Sequence, residues 1–136
     1  MVKEMTRLLL DFGLFVLIWM VQLIVYPSFI HFTREGLVKW HKKYTPRISF
    51  LVVPLMLGQL MAYGALLQEV KSFYSITCFI LVLLVWLVTF TFFVPRHKAI
   101  SAGDFTPKSL EDMVRLNWIR TVLWTVLFLW NFAIYF

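Results

Sequence analysis

The last apolar run of this chain is too short to cross a membrane unaided, and that shortfall constrains everything else. Four stretches carry no Asp, Glu, Lys or Arg: Phe12–Phe32, Ile48–Gln68, Ser72–Pro95 and Thr121–Phe136. A helix needs about 20 predominantly apolar residues to cross ~30 Å of hydrocarbon. The first three runs reach that length. At ~1.5 Å per residue the fourth covers only about 24 Å. To span, the last helix must draw in Arg120 and Asn117. Arginine at mid-membrane costs roughly 2.5–3.5 kcal/mol on insertion scales, so its guanidinium needs a partner.

With 61% hydrophobic and 15% charged residues in 136, the chain carries too much apolar surface for a soluble domain, and its solvent must be lipid. The first run is too long for a signal-peptide core, lacks a small-x-small cleavage site and continues into Tyr26-Pro27, so it reads as a span. Cys78 is the single cysteine; it excludes an intrachain disulfide and a cysteine metal site, and reads as a packing residue. The net charge of +6 is distributed by topology. Arg34, Lys39, Lys42, Lys43 and Arg47 follow the first run, and Arg96, Lys98, Lys108 and Arg115 follow the third, against Lys3, Arg7 and Lys71 on the other side. The positive-inside rule then places both long loops in the cytoplasm and both termini outside. Anionic headgroups account for the basic charge, and no nucleic-acid partner is called for.

Between spans one and two, Leu37, Trp40, His41 and Tyr44 recur at helical spacing, with Lys39, Lys42 and Lys43 on the other face. The pattern predicts a short amphipathic interfacial helix anchored by Trp40 and Tyr44. Thr45-Pro46 reads as an N-cap followed by proline at the first helical position, opening the second span. Thr106-Pro107 opens the last helix in the same way. Pro95 and His97 follow the third span as Pro27 and His31 follow the first, which suggests two hairpins of similar plan. The expected fold is all-α: one integral membrane four-helix bundle over residues 1–136, built from two helical hairpins.

Amides and hydroxyls within a span must face the bundle, because hydrocarbon cannot hydrogen-bond them. In the last helix Asn117, Thr121, Trp124, Phe128 and Asn131 share a face, with Arg120 on its flank; in the first, Asp11, Phe15, Trp19, Gln22 and Tyr26 do. Gln59 and Tyr63 supply the second helix, and Trp86, Thr89 or Phe90, and Phe93 lead to His97 in the third. The interior so assembled holds Gln22, Tyr26, Gln59, Asn117 and Thr121, with Arg120, His41 and His97 near its cytoplasmic mouth. Plainer roles exist for each: interhelical hydrogen-bond glue for the amides, snorkelling for Arg120, exposed loop positions for the histidines. No Asp or Glu falls in mid-span, Asp11 lying near the outer end of the first; this argues against an ion-coupled transporter and a carboxylate-bridged di-iron centre. No metal site is indicated: as neutral imidazoles His41 and His97 admit a haem or a metal, but their spacing is no strong signal for either, and the cofactor stays open with haem as the candidate.

The segments VYPSF, HKKYTPRISFLVVPLMLGQL, VPRHKAIS and LNWIRTVLW resemble small four-helix bacterial membrane proteins, and the likeness covers nearly the whole chain. More distantly the layout is similar to the anthrone-oxygenase-like family and to HemJ-type protoporphyrinogen oxidases. That resemblance implies a bacterial inner-membrane protein. Position 59 is often glutamate in the resembling group, so the amide of Gln59 weakens an acid–base role there, and the first span lacks the histidine of the HemJ type. Together with the residues, it leads us to expect oxidation or oxygenation of a hydrophobic phenolic or tetrapyrrole-like compound entering from the bilayer. His97 or His41 would serve as acid/base or axial ligand, Arg120 would pair with an anionic oxygen, and Asn117, Gln59, Tyr26, Gln22 and Thr121 would contact substrate. The alternative is a non-enzymatic lipid-binding or accessory subunit whose polar interior fixes helix register. Membrane lipid and a hydrophobic small molecule are the expected partners, and a second copy of the chain is a further one.

Overall fold

The computed structural model describes residues 1–136 and contains four long helices and no strand. They are α1 (Val2–Phe29), α2 (Arg34–Glu69), α3 (Phe73–Ser101) and α4 (Pro107–Tyr135), each long and apolar enough to cross a membrane. They run up and down, and each packs on its two neighbours around one ring. This is the all-α, four-helix integral membrane bundle that the sequence predicts. Leu9, Phe12, Met20, Phe50, Met61 and Leu87 point outward and are exposed, as lipid-facing side chains should be. The core holds Leu14, Ile18, Tyr63, Val82, Val85 and Leu127.

One expected feature differs. The amphipathic segment is helical, but it is not a separate interfacial element: α2 is continuous from Arg34 to Glu69 through Pro46. Thr45 does not cap anything. Its hydroxyl turns back to donate to the His41 carbonyl (2.9 Å), one helical turn earlier, as a threonine inside a helix does, and the chain stays helical across the proline. The actual cap is Thr33, which accepts from the Gly36 amide at 3.1 Å. At ~1.5 Å per residue α2 exceeds the hydrocarbon thickness, so its first turns, bearing Lys39, Lys42 and Lys43, stand beyond the apolar layer at the basic end. Leu37, His41 and Tyr44 face inward there; Tyr44 is 7% exposed and forms wall rather than interfacial anchor.

The other helix starts obey local chemistry. Thr106 and Ser109 form a reciprocal capping box with Pro107 at the first position, and Ser72 and Ser75 form another before α3. α3 ends in a Schellman arrangement: the Gly103 amide donates to Ile100 O and the Asp104 amide to Ala99 O, with Gly103 at φ +77°. Arg34 donates to the carbonyls of Gly103 and Phe105, tying the two basic-end connections together. At the opposite end a Lys3–Glu69 ion pair links α1 and α2. Gly58 brings α2 close to α1, since a Cβ there would lie 2.9 Å from Leu10 Cδ2.

α1 and α3 each contain one π-helical turn, at Val21–Val25 and Thr89–Phe93. In each the closing amide, Tyr26 or Val94, reaches back five residues, to Val21 O or Thr89 O. Pro27 and Pro95 come immediately after; having no N–H, they cannot continue the ordinary ladder. The two turns therefore sit at matching positions of the two hairpins. Each inserts a residue that rotates the remainder of its helix, bringing Tyr26 and Phe93 face to face, centroids 6.0 Å apart and planes 21° apart.

Candidate functional site

Arg120 packs on Phe93 beside this ring pair. Its side chain turns inward and is 6% exposed, so it does not snorkel. Its Cζ stands 3.6 Å from the Phe93 centroid, a cation–π contact that desolvation strengthens. Asn117, one turn earlier on α4, accepts from Nε (3.0 Å) and Nη2 (2.7 Å). Nη2 also donates to the Tyr26 hydroxyl at 2.9 Å. Nη1 has no hydrogen-bond partner in the protein.

Asn117 is held in turn. Its amide donates to Gln22 Oε1 at 2.9 Å, Thr121 Oγ1 donates to the same oxygen at 3.0 Å, and Gln22 Nε2 donates to Val114 O at 3.1 Å. These three residues form a backing that fixes the guanidinium plane.

From Tyr26 a second line of contacts runs toward the basic end. Tyr26 Oη lies 2.9 Å from His97 Nε2, His97 Nδ1 lies 2.8 Å from His41 Nε2, and His41 Nδ1 lies 2.7 Å from Ser101 Oγ. The two imidazoles are nearly parallel, 18° apart. A guanidinium can only donate, so Tyr26 accepts from Arg120 and its own proton is left for His97 Nε2. His97 then donates from Nδ1 to His41 Nε2, and His41 from Nδ1 to Ser101. One direction satisfies every member of the chain with both imidazoles neutral.

A cavity of about 680 Å³ opens beside this array. α2 and α3 meet near their short turn and again at the basic end, but the Thr89–Phe93 turn stands off α2 and leaves the space between. Tyr26, Tyr44, His97 and Arg120 line its polar corner, and the rest is mostly apolar, including Met56, Phe93 and Trp124. Val53 and Phe90 line it and are exposed, so it opens sideways between α2 and α3 toward the lipid.

Of the residues read from sequence, the structure puts His97, Arg120 and Tyr26 on the cavity wall and His41 directly behind His97. Asn117, Gln22 and Thr121 sit behind Arg120 and do not line the cavity. Gln59 belongs to a different cluster. Its Nε2 donates to Asp11 Oδ1 at 2.7 Å, while Tyr63 Oη (2.6 Å) and Asn131 Nδ2 (2.9 Å) donate to Asp11 Oδ2. Trp124 Nε1 donates to Gln59 Oε1 at 3.1 Å and so closes the cavity floor on that side. Asp11, near one end of its span in the sequence, is sealed inside the bundle. His31 is exposed and takes no part. Ser101 was not singled out by sequence, and Thr45 was read only as a helix cap, since a serine and a threonine carry no other signal until His41 is seen beside them.

The donor set does not suit haem as it stands. Both ring nitrogens of His97 and both of His41 are engaged within the protein, whereas an axial ligand needs a free imidazole nitrogen. No three His, Cys, Asp or Glu side chains converge as a metal-binding group. Comparison of the chain with protein-family models, with characterised proteins and with solved structures gave no match.

Proposed function

We propose that this protein oxidises a hydrophobic phenolic compound that enters the cavity sideways from the bilayer. The observation that carries the reading is the free Nη1 of a buried, rigidly held Arg120 on the wall of an otherwise apolar cavity. Such a donor suits an oxygen that becomes negative during reaction, because it is aimed before charge develops and works in a water-poor site. The phenolic proton passes to Tyr26 Oη as the Tyr26 proton moves to His97, the His97 Nδ1 proton to His41, the His41 Nδ1 proton to Ser101, and the Ser101 hydroxyl proton to solvent at the basic end. The phenolate is left on Arg120. Dioxygen is the acceptor: a substrate SH2 loses two electrons and two protons to become S, and O2 becomes H2O2. The resemblance to anthrone-oxygenase-like proteins points the same way.

The positive-inside distribution places the basic end, and with it Ser101, in the cytoplasm, with both termini outside. The cleft bordered by Lys39, Lys42 and Lys43 then meets anionic headgroups of a bacterial inner membrane.

Oxygen uptake by the detergent-purified chain with 4-tert-butylcatechol tests the reading. Uptake should fall about 100-fold or more in Arg120→Gln, the scale of losing one oxyanion donor. No uptake by the native chain, together with a co-purifying anionic phospholipid that Arg120→Gln no longer retains, would overturn it in favour of a lipid-binding or accessory subunit.

A further inference from the structure

The cavity has a second polar pole. Trp86 and Thr89 both line it, and Trp86 Nε1 and Thr89 Oγ1 are buried without any hydrogen-bond partner. A mid-helix threonine ordinarily satisfies its hydroxyl on the carbonyl one turn back; Thr89 opens the π-turn and does not. A buried donor left unmade is costly, and here two of them stand on one wall. Thr89 precedes Phe93, the ring beneath Arg120, by one turn, roughly 5–6 Å along the axis. The cavity thus has polar groups at two separated levels: Arg120 Nη1 at one, and at the other Trp86 and Thr89, whose unpartnered atoms lie within the wall itself. Phe90, Phe93 and Trp124 lie among them, and an apolar exit leads past Val53.

We infer that the ligand is an aromatic ring with two oxygens on opposite edges and an apolar tail, that is, a para-quinone or its hydroquinone. One oxygen sits on Arg120 Nη1, the other accepts from Trp86 Nε1 and Thr89 Oγ1 once those side chains turn out of the wall toward it, and the tail leaves between α2 and α3. A fatty acid or phospholipid would satisfy the arginine and leave the second pole bare. A simple phenol would do the same. This rests on the proposed function in taking Arg120 as the anchor of a phenolic oxygen.

The test is equilibrium binding to the full chain in detergent of three probes: decyl-para-benzoquinone, 4-decylphenol and dodecanoate. Thr89→Val and Trp86→Phe should each weaken the quinone about 3–10-fold, the scale of one neutral hydrogen bond, and leave the phenol within about twofold. Thr89→Ser, which keeps the hydroxyl, should bind the quinone like the native chain, and unchanged thermal unfolding shows that the variants fold. Equal effects on quinone and phenol, or none on either, would overturn the two-pole ligand while leaving the phenolic reading intact. Tighter binding of dodecanoate than of both ring compounds, or failure of both rings to bind, would overturn the two readings together.

Discussion

His41 Nε2 and His97 Nδ1 meet at 2.8 Å across two helices, a hydrogen bond that ties the two imidazoles into one unit. His97 touches the cavity; His41 does not. Their roles therefore separate experimentally.

Replacing His41 with Phe should lower kcat for phenol oxidation about 10–100-fold while leaving KM within about twofold, since general acid–base groups contribute on this scale and His41 lines no part of the cavity. The solvent isotope effect on kcat should rise as proton exit becomes limiting. Steady-state oxygen uptake in H2O and D2O checks this. Equal loss in kcat and gain in KM would mean that His41 only shapes the wall.

Asp11 gives a contrasting expectation. Asp11→Ala leaves Gln59, Tyr63 and Asn131 donors without an acceptor in a fully buried position, and should cost about 2–5 kcal/mol of stability. Asp11→Asn, which keeps one carbonyl oxygen, should cost less. Thermal unfolding in detergent reads both. Quinone binding at temperatures where the variants remain folded should be unchanged, because the cluster lies beyond the cavity floor.

A third expectation concerns orientation. Alkaline phosphatase fused after Phe136 should be active in cells, and a fluorescent protein that matures only in the cytoplasm should be dark at the same position. The opposite pattern would invert the assignment of the basic end.

Much of this was legible because lipid leaves polar side chains few choices. Gln22, Asn117 and Thr121 had to face the bundle, and the shortness of the last apolar run forced Arg120 into it. Thr106-Pro107 stated its cap outright. Other features depend on pairings that periodicity cannot express. His41 and His97 are 56 positions apart and meet only because α2 stays helical through Pro46. Thr45-Pro46 carries the same letters as the genuine cap at Thr106-Pro107; the difference is that Thr45 finds the His41 carbonyl one turn back. The third helix was hardest. Periodicity brought Trp86, Thr89, Phe93 and His97 to one face, and all line the cavity, but it could not show the π-turn or the space that the turn opens. Asp11 was visible as an inward residue, but its three partners come from two other helices.

The bond from Trp124 to Gln59 has a consequence for the whole membrane. Polar side chains run nearly from face to face through this bundle, an arrangement that invites leakage. An indole N–H gives a hydrogen bond and takes none, so Trp124 acts as an insulator between the Asp11 cluster and the imidazole pair. The hydrogen-bonded path from one face of the membrane to the other is therefore broken at Trp124, and the polar interior does not form a continuous wire across the bilayer.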